Sequence, residues 1–304
     1  MYEWNETVQK MVDWIEEHIE EEPSLLEMSR QIGYSPSYCS SQFHTIVGMT
    51  LRRYIAGRKL CHATLEIRDT GARILDIAVK YGYSSQEALT RAFVAAYGCT
   101  PYAYRKSPRP VKLSVKQNLL FPAYYEGKGA PTMNKTILTD ANVRTEYIPA
   151  HTYMGIWEEA ADNYMAFWSH HSCDQVCGTI ESLSHIAHPV VTCHTAGWSW
   201  KNGKRCYFYG LGVEENYTGE IPDGFTVRHI PAGYYLVFFH PPFDFLKDCG
   251  EVMNRVESLA WSFDPASMGY AWDEENRQDY QRHYPEVLGY EVLRPVKKLR
   301  HSVL

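Results

Sequence analysis

Apolar residues recur at helical spacing through the first third of the chain and in shorter, strand-like runs through the remainder. The first helix is predicted by five apolar positions that share one face: Val8, Met11, Val12, Ile15 and Ile19. A second long pattern, over residues 50–67, contains no proline and predicts a rigid connecting helix. The pattern therefore predicts an all-α region followed by a region of mixed strands and helices.

A segment of the helical region is repeated in the sequence. One copy centres on Gly33-Tyr34-Ser35 and the other on Gly82-Tyr83-Ser84. The offset is 49 residues at these glycines and 50 residues at Phe43 and Phe93, so one inserted residue separates the copies. Each copy predicts a helix, a glycine-centred turn and a second helix, with Ser35 or Ser84 as its N-cap. That is the helix-turn-helix plan, whose second helix enters the major groove of DNA.

Charge is distributed unevenly along the chain. The formal net charge is −6, and residues 1–28 hold nine acidic residues and one lysine. Residues 29–110 hold twelve Lys or Arg and four Asp or Glu. Positive charge therefore coincides with the repeated segment, where contacts to phosphates would supply much of the affinity for DNA. A merely solvated basic face is the alternative.

The organisation changes at Ser107-Pro108-Arg109-Pro110, because two prolines in three residues cannot continue a helix. The later part repeats an Ile-Pro-Ala element at residues 148–150 and 230–232, and each half closes with a strand, at 206–214 and 289–296. This pattern predicts an α+β domain built from a duplicated strand–helix–strand unit. The predicted boundaries are a double helix-turn-helix domain at 1–107, a linker at 108–134 and the α+β domain at 135–304.

Several classes of protein find no support in the sequence. The N-terminus lacks a basic start followed by an apolar run, and no stretch is long enough and apolar enough to span a bilayer. The eight cysteines form no disulfide framework, so we expect a cytoplasmic protein without membrane association. His170, His171, Cys173 and Cys177 lie close in sequence but lack a second clean pair, so we expect no metal and no cofactor.

The N-terminal region resembles the AraC/XylS family of transcription regulators. The resemblance rests on Ile74 to Ala78, Tyr81-Gly82-Tyr83, Leu89 to Phe93 and Gly98 to Pro101. In that family, exposed positions of both recognition helices touch bases, which here implies Ser37, Ser40, Ser41, Gln86, Glu87, Thr90 and Arg91. Arginine and glutamine can bond bidentately to guanine and adenine, so the second helix is expected to discriminate sequence while the serines mainly dock. Solvated serines, and an ion pair of Arg91 with Glu87, are the alternatives.

The C-terminal region resembles the GyrI-like effector-binding domain of multidrug-sensing regulators. The matching pieces are the paired Ile-Pro-Ala strands, residues 207–214 and the ending at 290–298. The resemblance implies an aromatic wall with a carboxylate beneath it, able to hold a planar and often cationic ligand. The residues implied are Tyr153, Trp157, Tyr209, Tyr235, Trp272 and, as the carboxylate, Glu291. Aromatic core packing, and an exposed Glu291 paired with Arg294 or Lys297, are the alternatives.

These observations predict a transcription regulator, not an enzyme, that binds double-stranded promoter or operator DNA and a small aromatic or cationic effector. RNA polymerase is retained as an additional partner, because activators of this kind also contact it. The alternative function is a GyrI-like hydrolase that acts on a small electrophilic, drug-like ligand. The sequence shows no Gly-rich phosphate loop, Gly-x-Ser-x-Gly elbow or His-Glu-x-x-His motif that would favour another enzyme class.

Overall fold

The computed structural model describes residues 2–119, 142–201, 203–284 and 289–299. These residues form two compact units. The first unit contains residues up to 119 together with 172–185, and the second contains 142–171 and 186–299. The helices of the first unit are α1 (Tyr2–Glu17), α2 (Leu25–Ile32), α3 (Pro36–Val47), α4 (Leu51–Asp69), α5 (Ile74–Lys80), α6 (Gln86–Tyr97), α7 (Pro101–Lys106) and α9 (Cys173–Ser182).

The first unit contains the two predicted helix-turn-helix elements, α2–α3 and α5–α6. Helix α4 lies between them in the chain and contacts α3, α5, α6 and α7, which confirms the predicted long connecting helix. Its apolar residues form one continuous core with those of α1 and both helix pairs. The two helix-turn-helix elements are therefore parts of one packed body.

The caps of the recognition helices explain the one-residue insertion. The Ser35 hydroxyl accepts a hydrogen bond from the Tyr38 amide at the start of α3. At α6 the capping residue is Ser85, which accepts from the Ala88 amide, so the prediction of Ser84 was wrong by one residue. The inserted residue lies between Gly82, which adopts a φ of +76°, and the cap. The turn absorbs it and the helix begins one residue later.

A buried ion pair joins α1 to α4. The Glu16 carboxylate accepts two hydrogen bonds from the Arg58 guanidinium at 2.6 and 2.7 Å, and the His62 Nε2 atom lies 3.1 Å from it. Burial alone would raise the pKa of Glu16, but the bonds from Arg58 and His62 outweigh it and lower the pKa to about 2. This pair fixes the N-terminal helix on the connecting helix.

Residues 111–119, which the sequence predicts to be linker, pack into the first unit. Val111, Leu113 and Leu119 are buried in its core. The Leu119 amide donates to the Gln9 side chain, and Arg58 donates to the Ser114 carbonyl. We refer to residues 111–119 as the strap. The prolines do end the helical region, but the apolar residues after them return the chain to the core. Residues 120–134 of the predicted linker lie outside the described residues.

Helix α9 also departs from the predicted boundaries, because it packs with the first unit although both flanking segments belong to the second. A Cβ atom at Gly178 would lie 2.1 Å from the Leu113 carbonyl oxygen, so only glycine permits the observed approach of α9 to the strap. Arg68 of α4 donates to the carbonyls of Glu181 and Ser182 at the end of α9. The helical unit therefore includes a segment from far along the chain.

The second unit is an antiparallel sheet on which the helices α8 (Tyr164–His170) and α10 (Phe245–Ser262) pack. Its described strands are β1 (Val143–Ile148), β2 (His151–Glu158), β3 (Thr195–Lys201), β4 (Lys204–Glu214), β5 (Thr226–Ile230), β6 (Gly233–His240), β7 (Tyr270–Trp272), β8 (Asp279–Tyr284) and β9 (Gly289–Lys298). Along the sheet the order is β1-β6-β9-β8-β3-β4-β2-β5, and β7 also pairs with β9.

Buried aromatic and aliphatic residues form the core on one face of this sheet. They are Ile148, Tyr153, Val191, Phe208, Ile230, Tyr235, Val237, Tyr280 and Leu293, with Trp157 and Val190 packed against them. Tyr153 and Trp157 share this face because alternate residues of a strand point to the same side. We refer to this set as the aromatic cluster.

Candidate nucleic-acid interface and effector site

The recognition helices α3 and α6 present the predicted base-contacting side chains at the surface. On α3, Ser37 and Ser41 are exposed and Ser40 is half-buried. On α6, the three long side chains are exposed and Thr90 is half-buried; the three are Gln86, Glu87 and Arg91. The structure thus brings the predicted residues of each helix together on one helix surface. The side chains on α6 are longer than the serines on α3 and can extend further from the helix.

Arg91 is available to a ligand in this arrangement. Among the residues that the structure describes, Arg91 and Glu87 form no ion pair, although they lie four positions apart on the same helix. The pKa of the Glu87 carboxylate lies below its usual range, chiefly because Ser85 donates a hydrogen bond to it. Glu87 is therefore engaged mainly with the start of α6, and the charge of Arg91 makes only a smaller contribution to the lowered pKa of Glu87.

Equivalent aromatic pairs hold the two recognition helices against the core. Phe43 of α3 packs edge-on to Tyr54 at 5.3 Å between ring centroids. Phe93 of α6 packs on Tyr104 at 5.5 Å. These residues are 50 positions apart in the two copies and are almost completely buried. The duplicated sequence thus builds the same support under both exposed surfaces.

Two arginines that sequence reasoning left unassigned position the second helix-turn-helix element. Arg105 donates to the carbonyls of Ile67 and Ala72 at 2.9 and 2.7 Å, which joins α7 to the end of α4 and the loop before α5. Arg109 donates to the Tyr97 carbonyl at 2.8 Å and thereby satisfies the C-terminus of α6. A basic residue in the last turn of a helix (Arg105) or shortly after the helical region (Arg109) was the available signal.

In the second unit, Tyr280 is the centre of the aromatic cluster. Its ring lies 5.9 Å from that of Tyr153, 5.8 Å from that of Tyr235 and 6.0 Å from that of Phe208. The Tyr153 ring is in turn 5.4 Å from Trp157, which is half-buried at the rim. Three of the predicted wall residues, Tyr153, Trp157 and Tyr235, therefore belong to one cluster.

A hydrogen-bonded chain fixes the Tyr280 hydroxyl. The Nδ1 atom of His151 faces the Pro149 carbonyl at 2.8 Å and so carries the proton, which leaves Nε2 to accept from Tyr280 at 2.6 Å. Gln278 Nε2 donates to the same hydroxyl oxygen at 3.2 Å. Burial lowers the pKa of His151 to about 4 and raises that of Tyr280 well above its usual value. Both groups therefore remain neutral at physiological pH.

Three polar atoms in and beside the aromatic cluster are buried without a hydrogen-bond partner among the described residues. They are the Tyr235 hydroxyl, Trp157 Nε1 and Gln278 Oε1. A buried polar group left unpaired costs about 1–3 kcal/mol, so such groups are unusual in a closed core. Six further such atoms lie elsewhere among the described residues, so it is the position of these three beside a cluster of aromatic rings that makes this face of the sheet the candidate effector site.

Glu291 is not the free carboxylate that the resemblance implies. It is almost completely buried and lies 2.6 Å from Arg144 Nη2 and 3.2 Å from Arg282 Nη1. Arg282 also bonds to Glu146 at 2.6 Å. The alternative of an exposed Glu291 paired with Arg294 or Lys297 was also wrong, because Arg294 lies on the other face and pairs with Glu274. Two guanidinium groups neutralise Glu291, so it offers little attraction to a cationic ligand.

Tyr209 and Trp272 lie on the face of the sheet opposite the aromatic cluster. Tyr209 follows Phe208 of the cluster and packs 4.9 Å from Trp168 of α8. Trp272 lies under the Arg294 guanidinium at 3.6 Å. Because neighbouring strand residues point to opposite sides, these two aromatics cannot share a wall with Tyr153 and Tyr235.

The histidines and cysteines weighed as metal ligands do not converge. His171 lies 3.1 Å from Glu158, and His170 faces the Ala166 carbonyl at 2.8 Å. Cys173 and Cys177 are in contact with each other, at 3.4 Å between sulfur atoms. Within the described ranges, no group of three or more His, Cys, Asp or Glu side chains is arranged to hold a metal ion. The same ranges contain no helix long and apolar enough to cross a bilayer.

Comparison with known proteins places the helical unit in a family. A profile described as a helix-turn-helix domain matches residues 28–107. The chain is 37% identical over 98 residues to the regulatory protein SoxS of Salmonella typhimurium, which covers 32% of this chain and 92% of SoxS. This chain belongs to the AraC family of helix-turn-helix regulators.

Two further similarities each cover about a third of this chain. The chain is 34% identical over 101 residues to the right origin-binding protein of Escherichia coli, which covers 33% of this chain and 35% of that protein. Among solved structures, a transcriptional regulator with an AraC-type DNA-binding domain from Chromobacterium violaceum is similar at 21% identity and a TM-score of 0.33. That match covers 36% of this chain and all of the other.

Proposed function

We propose that this AraC-type DNA-binding transcription regulator responds to a small aromatic effector bound by its C-terminal sheet domain. Double-stranded DNA is the partner of the helical unit, through the exposed surfaces of α3 and α6. The observation that supports effector binding is the set of three buried, unpartnered polar atoms in and beside the aromatic cluster. RNA polymerase remains a further partner within this proposal.

For DNA, the support comes from the two exposed recognition helices on one packed body. Because α4 contacts elements of both helix-turn-helix pairs, a single chain carries two recognition helices that can bind neighbouring stretches of the major groove. The long polar side chains of α6 suit direct reading of bases, whereas the serines of α3 suit phosphates and unspecific base edges. We therefore assign sequence discrimination mainly to Gln86, Glu87 and Arg91.

For the effector, the charge around the aromatic cluster favours an anion or a neutral acceptor over a cation. Arg228 lies over the Trp157 ring at 4.1 Å and donates to the Ser199 hydroxyl at 3.2 Å. Within the described residues it forms no ion pair, whereas Glu291 is neutralised by two arginines. A carboxylate or carbonyl on the effector would satisfy Arg228 and Trp157 Nε1 together.

We include a GyrI-like, duplicated architecture in this proposal. The strand order is symmetric about the β8–β3 pair, where Ala196 pairs with Gln281. The two Ile-Pro-Ala elements support the same symmetry, because Ile148 pairs with Gly233 and Ile230 pairs with His151. In a duplicated unit each half would contribute one such element and four of the paired strands.

The hydrolase alternative has less support from this arrangement. A catalytic carboxylate must be able to accept a proton or attack, and Glu291 is held by two guanidinium groups. The contact between Tyr280 and His151 holds a proton in place, since the pKa of the tyrosine is raised and that of the histidine is lowered. Recovery of a bound ligand unchanged after prolonged incubation is the expected result.

The effector proposal is tested on the full-length protein with three ligands that share one ring system. 2-Naphthoate, 2-naphthamide and 2-naphthylmethylammonium differ in charge at nearly constant shape, and calorimetry measures the affinity of each. We expect naphthoate to bind most tightly and the ammonium compound least. Arg228→Gln should weaken naphthoate binding by about tenfold, which corresponds to roughly 1.4 kcal/mol, and should weaken naphthamide binding less, because Gln can still donate a hydrogen bond to a neutral carbonyl.

Lys247→Gln provides a matched control, because Lys247 is an exposed cation of α10 with its own partner, Asp244. Its affinity for all three ligands should equal that of the unaltered protein. Preferential binding of the ammonium compound would contradict the assignment of Arg228. No binding by any of the three would remove the support for an aromatic effector and leave the DNA-binding assignment intact.

A further inference from the structure

Two cysteines that the proposed function does not use lie side by side at the start of α9. Cys173 and Cys177 are one helical turn apart, and their sulfur atoms are 3.4 Å from each other. Both are half-buried, and neither is part of a disulfide. Four of the other cysteines, Cys39, Cys61, Cys206 and Cys249, are buried.

We propose that Cys173 and Cys177 form a dithiol site for a thiophilic ligand, of which trivalent organoarsenic compounds are the defining class. Two adjacent thiolates are soft ligands that bind soft metals and metalloids. With an arsine oxide, R–As=O, two As–S bonds form and the As=O bond breaks. The oxygen leaves as one water molecule with the two thiol protons, and neither sulfur nor arsenic changes oxidation state.

Helix geometry favours this bridge over a disulfide. Side chains four residues apart on a helix have Cβ atoms about 5–6 Å apart. A disulfide requires roughly 3.5–4.5 Å between these atoms and about 2.0 Å between the sulfurs, so oxidation would distort α9. A bridging arsenic atom lies between the sulfurs and allows them to remain apart. The observed 3.4 Å separation can therefore serve chelation without unwinding the helix.

The surroundings of Cys173 also favour the reactive thiolate. The hydrogen bond from Cys177 lowers the pKa of Cys173, and this effect exceeds the opposing effect of burial. The residue lies in the first turn of α9, where the Ser172 side chain forms no cap and the backbone amides favour negative charge. One thiol of the pair is thus prepared to attack and the second is in contact to close the chelate.

The position of the dithiol gives it a route to the DNA-binding unit. Between the two cysteines, Asp174 accepts a hydrogen bond of 2.5 Å from the side chain of Gln117 in the strap. The backbone N–H of Gln117 donates a hydrogen bond to the Tyr54 hydroxyl at 3.2 Å. Tyr54 packs on Phe43 of the recognition helix α3. A ligand on the dithiol would therefore bind a helix of the first unit that is linked through the strap and Tyr54 to the recognition helix α3.

Intact-mass spectrometry of the reduced full-length protein with phenylarsine oxide tests the proposal. We expect one equivalent to bind with loss of water, to persist in excess 2-mercaptoethanol and to be removed by 2,3-dimercaptopropanol. A chelate resists a monothiol because the second sulfur recloses intramolecularly. Fragmentation after digestion should locate the arsenic on a peptide containing both Cys173 and Cys177.

Three variants complete the experiment. Cys173→Ser and Cys177→Ser should each lose the monothiol-resistant adduct, while circular dichroism remains that of the unaltered protein. Cys99→Ser is the matched control, because Cys99 is half-buried in the same unit, and it should retain the adduct. Any one of three results would overturn the proposal: the monothiol removes the adduct from the unaltered protein, either the Cys173→Ser or the Cys177→Ser variant retains the adduct, or the arsenic is found on another peptide.

Discussion

At the scale of single residues, side-chain length and pairing decide what each exposed position can do. Arg91 has a long, exposed side chain that forms no ion-pair contact among the described residues, whereas Ser37 and Ser41 are exposed but short. Glu16 shows the opposite case, because its carboxylate is half-buried and is paired with both Arg58 and His62. We therefore expect DNA recognition and stability to depend on different arginines of the same unit.

Arg91→Ala should reduce discrimination between bases at one position of the operator by about 1–3 kcal/mol, because a bidentate contact to guanine is lost. Binding of a library of operator variants, selected first with the unaltered protein, measures this effect. Ser41→Ala is the comparison and should weaken all variants slightly and equally. An unchanged preference in Arg91→Ala would remove this residue from base recognition.

Glu16→Gln should destabilise the helical unit by about 3 kcal/mol at neutral pH, since it leaves Arg58 buried without its charge partner. The folded pKa of Glu16, about 2, lies below its ordinary value of 4.5. Its stabilising contribution is therefore complete above about pH 4.5 and is lost as pH falls towards 2. Urea unfolding from pH 7 to pH 2.5 measures the slope.

The neighbouring exposed residue provides the control for this experiment. Glu17→Gln should retain both the stability and the acid dependence of the unaltered protein, because Glu17 lies on the solvent side of α1. Equal acid dependence in the Glu16→Gln and unaltered proteins would show that another carboxylate governs the loss.

At the scale of elements, caps and C-terminal contacts place the two recognition helices. Both α3 and α6 begin at a serine whose hydroxyl accepts a backbone hydrogen bond, and both end at a glycine in the left-handed region. Arg109 adds a bond to the Tyr97 carbonyl of α6 alone. The copies are therefore similar in their starts and differ in how the last turn is satisfied.

Ser85→Ala should lower the free energy of unfolding by about 1 kcal/mol, because the Ala88 amide loses its acceptor at the start of α6. Ser84→Ala, one residue earlier, should have almost no effect. Chemical denaturation of the two variants compares them directly. A larger loss in Ser84→Ala than in Ser85→Ala would contradict the assigned cap.

At the scale of the whole molecule, the chain combines a helical unit with two recognition helices and a sheet domain with a buried aromatic cluster. The first unit recruits α9 from the later part of the chain, so the two units are interleaved in sequence. Cutting the chain at residue 107, as the sequence suggests, would remove the strap and α9 from the core to which they contribute. We therefore expect a fragment of residues 1–107 to be less stable than the same unit in the full-length protein, which thermal unfolding of both would measure.

If both recognition helices, α3 and α6, bind DNA at once, the affinity for an operator should depend strictly on the spacing of the two segments that they contact. One turn of DNA is about 10–10.5 base pairs, so an insertion of about 5 base pairs between the two contacted segments rotates one of them to the opposite side. We expect this insertion to lower affinity strongly and a full-turn insertion not to restore it, because α4 fixes the separation. Fluorescence anisotropy with the three operators measures this. Equal affinity for all three would show that one recognition helix binds alone.

The sequence by itself determined the elements and the DNA-binding plan of this protein. Helical periodicity, the 49- and 50-residue offsets and the local motifs are short-range properties, so the helix pairs and the AraC-type assignment follow from them. The sequence also predicted which polar side chains lie at the surface of α3 and α6, since exposure on an amphipathic helix is periodic.

The tertiary structure decided which distant residues meet. Arg144 and Arg282 neutralise Glu291 from strands far away in sequence, and alternation across paired strands separates Tyr209 and Trp272 from the aromatic cluster. The strap and α9 join the helical unit because buried apolar area and backbone approach, not sequence order, determine what packs together. Pairing and packing depend on register between remote segments, which no local pattern encodes.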